Sequence, residues 1–296
     1  MLTINPKEVS IPVFHAYLVG AIAPRPIAFV SSIDKQGKVN LSPFSYFNVF
    51  GSNPPTLIFS PSTRVRDNSP KHTLENVLEH DEVVINMVNY DMVAQMSLAS
   101  TEYPKGVNEF VKAGLTQIRS TIVKPPRVAE SPVSFECKVI QVIRVGDEGG
   151  AANLVVCEVV LAHFNESILD AKKQIDPYKF DVVARMGGDW YCRVQEDAIF
   201  KLTKPNRNIG MGFDNLPEQI RTSPILSGND LGLLANMEKI PKIEELEDIK
   251  EDPEIKNILV LSNNDPNLLK NNLHQLAKHY IQNGDIHKAW LTLLLL

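Results

Sequence analysis

Two long β-prone runs on either side of five turn residues constrain this chain more than any other feature. "VSFECKVIQVIRV" (133–145) and "AANLVVCEVVLAHF" (151–164) are rich in Val, Ile and Phe, and "GDEGG" lies between them. Runs of this kind around a glycine-rich turn form an antiparallel hairpin. "GDEGG" joins strand to strand with no helix after it, so it reads as a turn and not as a nucleotide phosphate loop. Further runs precede the hairpin. "PIAFVSSI" (26–33) ends at the turn "DKQG", and "KVNLSPFSYFNVF" (38–50) follows and is expected to pair with it. "PTLIFSPS" (55–62) and "EVVINMVN" (82–89) are two more strands. Two short helices are expected: "SPKHTLENVLEHD", with Ser69 as N-cap and Pro70 at the first helical position, and "YDMVAQMSLAS" (90–100). Many strands, few helices and no βαβ alternation predict a mainly β (α+β) fold built on a β-barrel, not a doubly wound sheet.

Past residue 200 the pattern changes. "KLTKPNRNIGMGFDNLPEQI" (201–220) carries turn signals, and from "SGNDLGLLANMEKI" onward the periodicity is helical, with two helices expected around "NGD" near the end. The expected organisation is a strand-rich domain over 1–200 and a helical C-terminal extension over 201–296.

Composition excludes several function classes. A net charge of -5 disfavours a nucleic-acid partner, which needs a net basic face. Cys137, Cys157 and Cys192 are far apart and form no C-x-x-C pair, so they read as small core residues in a reducing compartment. No basic start with an apolar run opens the chain, and the tail "AWLTLLLL" is too short to span a bilayer. A cytoplasmic protein with no membrane partner is expected. G-x-S-x-G, H-E-x-x-H and G-x-G-x-x-G are all missing, which argues against those hydrolase sites and against a Rossmann domain.

Four stretches carry candidate chemistry. "TRVRDNSPKHT" (63–73) gathers Arg64, Arg66, Lys71, Asn68 and the hydroxyls of Thr63, Ser69 and Thr73 before a helix start. Forked guanidinium donors, a lysine point charge and free helix N–H groups suit a phosphate. A solvated helix start has the same composition, and both readings stand. "NLSPFSYFN" (40–48) suits a flat aromatic heterocycle, or is a kinked strand with its aromatics in the core. In "APRPIAFVSS" (23–32) two prolines fix Arg25, which serves a site or simply faces solvent. In "ARMGGDWY" (184–191) Arg185 precedes two glycines that let backbone approach something flat, or form a plain turn. His15 and His163 read as core or edge histidines, and no catalytic residue is assigned.

Taken in order, "GAIAPRPIAFVSS", "NLSPFSYFN", "RVRDNSPKHTLENV" with "VVIN" after it, and "ARMGGDWY" resemble the flavin reductase-like family of FMN-binding split barrels, over roughly residues 10 to 195. The likeness is to the branch with the flavin reductase components of two-component monooxygenases, and to flavoredoxin. The resemblance implies a six-stranded Greek-key split barrel, a homodimer, and one noncovalent FMN per subunit. It implies that Arg66, Asn68, Ser69, Lys71 and Thr73 hold the FMN phosphate. Ser45, Phe47 and Asn48 would lie along the isoalloxazine ring, with Ser31 and Ser32 on the neighbouring strand, and Arg185 with Gly187 and Gly188 would close the far side. The implied activity is an NAD(P)H:FMN oxidoreductase, with NAD(P)H as transient reductant and a monooxygenase or other electron-acceptor protein as partner. The alternative is a flavoredoxin-type electron-transfer protein without free-flavin turnover. His72 stands where the family has an aspartate, so FMN affinity is expected to depend on pH.

Overall fold

The β-prone runs fold as strands in a computed structural model that describes residues 1–202, 204–205, 209–262 and 265–296. In chain order they are β1 (Ala28–Ile33), β2 (Val39–Phe44), β3 (Phe47–Ser52), β4 (Pro55–Phe59), β5 (Glu82–Met87), the short pair β6 (Gln117–Ile118) and β7 (Arg127–Val128), the long β8 (Val133–Val145) and β9 (Ala152–Phe164), and the hairpin β10 (Val183–Arg185) and β11 (Tyr191–Arg193). The first unit of the chain, Met1–Phe200, contains all of them. Seven form one antiparallel sheet in the order β2-β1-β5-β8-β9-β4-β3. The expected hairpin is there: Val133 lies opposite Phe164, and Val145 opposite Ala152.

The run 38–50, expected to pair as a whole with β1, is two strands. Only β2 pairs with β1. After Ser45 and Tyr46 the chain starts β3, which pairs with β4 instead. The sheet therefore has seven strands where the resemblance implies six. β2 and β3 are its two edges, yet Phe44 and Phe47 are three residue steps apart, at most about 11 Å. The sheet must curl until its edges meet, and among the described residues no ladder joins them. The result is a split barrel.

Alternation along β1 explains why that strand is buried on both faces. Ala28 and Val30 enter the barrel interior with Phe59, Val83, Ile85, Val155, Cys137 and Cys157. Phe29 faces the other way and packs with Met92, Met96 and Phe110, next to the helices that cover the sheet there. Burial pushes the Cys157 thiol up to about 12 and the Cys137 thiol well above its ordinary value, as expected of core residues.

The helices of this unit are α1 (Ile11–Ala21), α2 (His72–Glu79), α3 (Val93–Leu98), α4 (Glu109–Ala113) and α5 (Pro177–Phe180). α2 starts at His72, with Lys71 as an N-cap that makes no side-chain bond. Ser69 is not the cap because Asp67 engages it first. Asp67 Oδ1 accepts from both the N–H and the hydroxyl of Ser69, an Asx turn around Asn68 at φ 55°. Pro70 therefore stays in the loop. α1 lies outside the two helices expected for this unit, and Ser10 followed by Pro12 is its start signal.

The second unit, Lys201–Leu296, is helical. It contains α6 (Glu218–Arg221), α7 (Gly228–Ala235), α8 (Leu246–Lys250), α9 (Pro253–Leu261), α10 (Pro266–Gln282) and α11 (Ile286–Leu293). Leu234, Ala277, Trp290 and Leu293 form its core, and Trp290 Nε1 donates to the Leu234 carbonyl at 3.1 Å. The "NGD" turn joins α10 to α11, with Gly284 at φ 82° and Asp285 capping α11. Of the turn-rich stretch 201–220, positions 203 and 206–208 lie outside the described residues. Among the described residues no helix is long and apolar enough to cross a membrane.

Candidate functional site

A cavity of about 380 Å³ opens where the barrel is split. Pro43, Phe44, Ser45 and Tyr46 form the wall at the seam, and Ser60 and Ser62 continue it beyond β4. α1 contributes His15, Ala16 and Val19, and the β10–β11 hairpin contributes Arg185, Met186 and Gly188. Arg25 and Lys71 complete the lining.

Two arginines brace these walls. Arg25 donates to the carbonyls of Val19, Ile22 (2.6 Å) and Met186 (2.7 Å). A cation here satisfies carbonyls left over at the C-terminal end of α1 and meets the negative end of its dipole. Burial lowers the Arg25 pKa, Arg185 adds to that, and Tyr46 opposes it. Burial likewise raises the Tyr46 phenol. Arg185 donates to the Tyr191 hydroxyl and the Gly188 carbonyl, both at 2.9 Å. The Nε atoms of both arginines are buried with no partner among the described residues. Gly187 serves a close approach: a Cβ there would stand 3.1 Å from Gly20 Cα on α1.

A second, polar cavity of about 30 Å³ adjoins the basic loop, lined by Asn40, Ser42, Arg64, His72, Thr73, Glu102 and Glu109 among others. Lys71 lines both cavities. The turn "GDEGG" holds the loop in place. Thr63 N–H donates to Ala151 (3.0 Å), Gly150 N–H donates to Thr63 (3.2 Å), and Asn68 Nδ2 donates to Asp147 (2.8 Å). A Cβ on Gly149 would stand 2.6 Å from the Val65 carbonyl, so that position tolerates only glycine without a shift.

The loop cations differ in their partners. Arg64 donates to Glu102 at 3.0 Å, to Ser69 Oγ at 3.1 Å and to the Pro70 carbonyl. Arg66 pairs with Glu102 at 2.7 Å and with Asp67 at 3.2 Å. Among the described residues no carboxylate makes an ion pair with Lys71. Burial lowers the Lys71 pKa, Arg64 adds to this and Glu102 opposes it. Burial also lowers His72 and raises Glu109, whose carboxylate accepts the Leu41 N–H at 2.9 Å.

The residues expected at the site separate into two groups. Ser45, Lys71 and Arg185 line the larger cavity, and Lys71 and Thr73 line the polar one. Arg66, Asn68 and Ser69 form the rim of the loop, Asn68 as its turn residue. Phe47 packs into the barrel core, and Asn48 is exposed and accepts the next N–H of its own chain. Ser31 and Ser32 are both buried, on opposite faces of β1. The Ser31 hydroxyl donates to the Pro126 carbonyl, and Ser32 Oγ accepts from Asn76 at 3.0 Å. Ser60, Ser62, Met186 and Glu102 are lining residues outside the sequence expectations, and His15, expected in the core or at an edge, is exposed on α1 and lines the larger cavity with Tyr46. His163 is a satisfied histidine, 2.7 Å from the buried Glu136.

A family profile described as flavin reductase like domain matches residues 20–178. An uncharacterized protein of Aquifex aeolicus is 39% identical over 196 residues, covering 66% of this chain and 97% of that relative. Among solved structures, nitrilotriacetate monooxygenase component B from Bacillus cereus superposes with a TM-score of 0.64 at 31% identity, covering 68% of this chain and 98% of that one. The 2-nitrobenzoate 2-nitroreductase of Pseudomonas fluorescens gives 0.59 at 28% identity, with 70% and 98% covered. Together with a split barrel whose seam carries the cavity, these likenesses establish that the chain belongs to the flavin reductase-like family.

Proposed function

We propose that this chain binds FMN, with the ring in the larger cavity and the phosphate in the polar one, and works as an NAD(P)H:FMN oxidoreductase. The observation that carries this reading is Lys71: a half-buried cation, unpaired among the described residues, standing where the two cavities meet. The donor set fits the group. A volume of about 380 Å³ is within the range of cofactor sites, and the walls combine Pro43, Phe44 and Val19 with a few polar groups. The two orphaned arginine Nε atoms offer donors to a ligand with a polar edge.

When bound, the flavin supplies the hydride-accepting chemistry. The residues of the chain bind and orient it. Lys71 and Thr73, with the N–H groups at the start of α2, hold the phosphate. Ser45 and Tyr46 flank the ring, and α1 keeps water from one side. Arg25 and Arg185 line the cavity with positive charge, which would favour a reduced, anionic flavin held there. A second copy of the chain fits the exposed apolar residues of this unit, Val49, Phe50 and Trp190, at 66%, 64% and 77% exposure. The family likeness to monooxygenase component B supports delivery of electrons to a partner protein.

The test is the visible spectrum of the purified protein, identification of any pigment released by heat, and then NADH and NADPH turnover with free FMN. A yellow protein that reduces added FMN supports the reading. Bound flavin that is reduced without free-flavin turnover indicates a flavoredoxin-type carrier. A colourless protein that takes up no FMN overturns the proposal.

A further inference from the structure

The polar cavity already contains an anion. Glu102, in the loop after α3, meets Arg66 Nη1 at 2.7 Å with one oxygen and Arg64 Nε at 3.0 Å with the other. One carboxylate thus occupies both arginines of the basic loop, and of its three cations only Lys71 lacks such a partner among the described residues. The two arginines are not equivalent. Arg64 is a strut, 15% exposed, that also braces Ser69 and Pro70. Arg66 is 65% exposed, and Glu102 itself is 44% exposed. Glu102 and Arg66 can therefore part without uncovering a buried charge, and Arg64, which loses Glu102 in the same movement, keeps Ser69 Oγ and the Pro70 carbonyl. Glu109 cannot move in this way, because it is buried and engaged by the Leu41 N–H.

We infer that Glu102 is a resident carboxylate that an incoming phosphate monoester displaces from Arg66, and that this exchange limits the preference of the site for FMN over riboflavin. The inference rests on the proposed flavin site. A guanidinium fork accepts carboxylate and phosphate with the same geometry, so the two compete for Arg66. A phosphate monoester brings nearly two negative charges, and a carboxylate left in the cradle repels them. Once Glu102 turns to solvent, Arg66, an exposed rim side chain that keeps Asp67 on its Nε at 3.2 Å, has its Nη1 free to swing to a phosphate beside Lys71. Riboflavin has no phosphate and requires no exchange. Glu102 therefore weakens FMN binding and leaves riboflavin binding alone.

Titration of the flavin-free full-length protein with FMN and with riboflavin, followed by quenching of flavin fluorescence, tests this. Glu102→Gln is expected to bind FMN roughly tenfold more tightly, since a competing and repelling carboxylate is removed, with riboflavin affinity unchanged. Glu102→Ala, a second uncharged variant, should move FMN affinity in the same direction. Lys71→Ala should weaken FMN alone. If Lys71→Ala weakens FMN but the Glu102 variants leave it unchanged or weaker, Glu102 is a scaffold, and the exchange is refuted while the flavin site stands. Equal tightening of both flavins also refutes the exchange. If neither position affects FMN, the phosphate sits elsewhere and the proposed site falls as well.

Discussion

Arg25 and Arg185 exchange both of their backbone hydrogen bonds, the N–H of each donating to the carbonyl of the other at 2.9 Å. This bridge ties the segment before β1 to β10 and brings two guanidinium groups to one cavity. The side chain of Arg25 then extends the tie to α1 and Met186.

Removing that side chain should loosen α1, none of whose residues is buried. Arg25→Ala is expected to cost about 2–4 kcal/mol, the scale for losing buried charge-assisted hydrogen bonds. Hydrogen exchange over residues 11–22 should quicken by more than global unfolding explains. Unchanged exchange there means that α1 is held by something other than Arg25.

Gly149→Ala probes how the basic loop is supported. The added methyl meets the Val65 carbonyl at 2.6 Å, and backbone on one side must shift. FMN affinity should fall roughly tenfold with little change in riboflavin affinity, since the displaced groups belong to the proposed phosphate end. A loss shared by both flavins places the damage in the barrel instead.

The pH response assigned to His72 should appear only in acid. Burial holds this imidazole below its ordinary value, with Arg64 and Lys105 adding and Glu75 and Glu102 opposing. The neutral form therefore prevails at pH 7 and above. Because the folded value is depressed, the unfolded chain binds more protons, and the contribution of His72 to stability is full above about 6.5 and falls below it. Protonation beside the phosphate favours FMN. Wild type and His72→Asn should show parallel FMN affinities from roughly pH 7 to 9 and diverge below about 6.5, wild type binding more tightly. Divergence on the alkaline side refutes this assignment.

Glu136 governs acid stability. Burial pushes its carboxyl up, but the N–H groups of Thr121 and Ile122, His163 and the Val123 N–H outweigh that and hold it at about 2. Its contribution is present above the unfolded value near 4.5 and is lost as pH falls from there through about 2. Glu136→Gln should lose about 2–4 kcal/mol at pH 7 in urea unfolding and should narrow the gap to wild type as the pH falls toward 2. A gap that does not change with pH shows that the cost is steric.

Local composition made much of this legible. The β8–β9 hairpin is written in β-branched residues around glycine, and the cations of 63–73 lie side by side in the chain. The break at Ser45–Tyr46 is harder to see, because β-prone residues continue straight through it and only the pairing of β3 with β4 reveals it. Ser31 and Ser32 are hydroxyls on a strand covered on both faces, and there they bond Pro126 and Asn76. Glu102 pairs with arginines more than 30 positions away, and no local pattern announces such a partner. α1 is apolar on most sides with nothing buried, so its periodicity marks no face to pack.

The join between Phe44 and Phe47 has one more consequence. Neighbouring strands elsewhere in the sheet are stitched by ladder hydrogen bonds, whereas here, among the described residues, continuity is kept by the peptide chain and by the packing of Phe44 and Phe47 with Phe59. Widening or narrowing the seam breaks no ladder bond, so exchanging the side chains of Ser45 and Tyr46 recuts the cleft without reweaving the fabric around it. With this loose stitch the cleft and the ladder of the barrel are set by different residues.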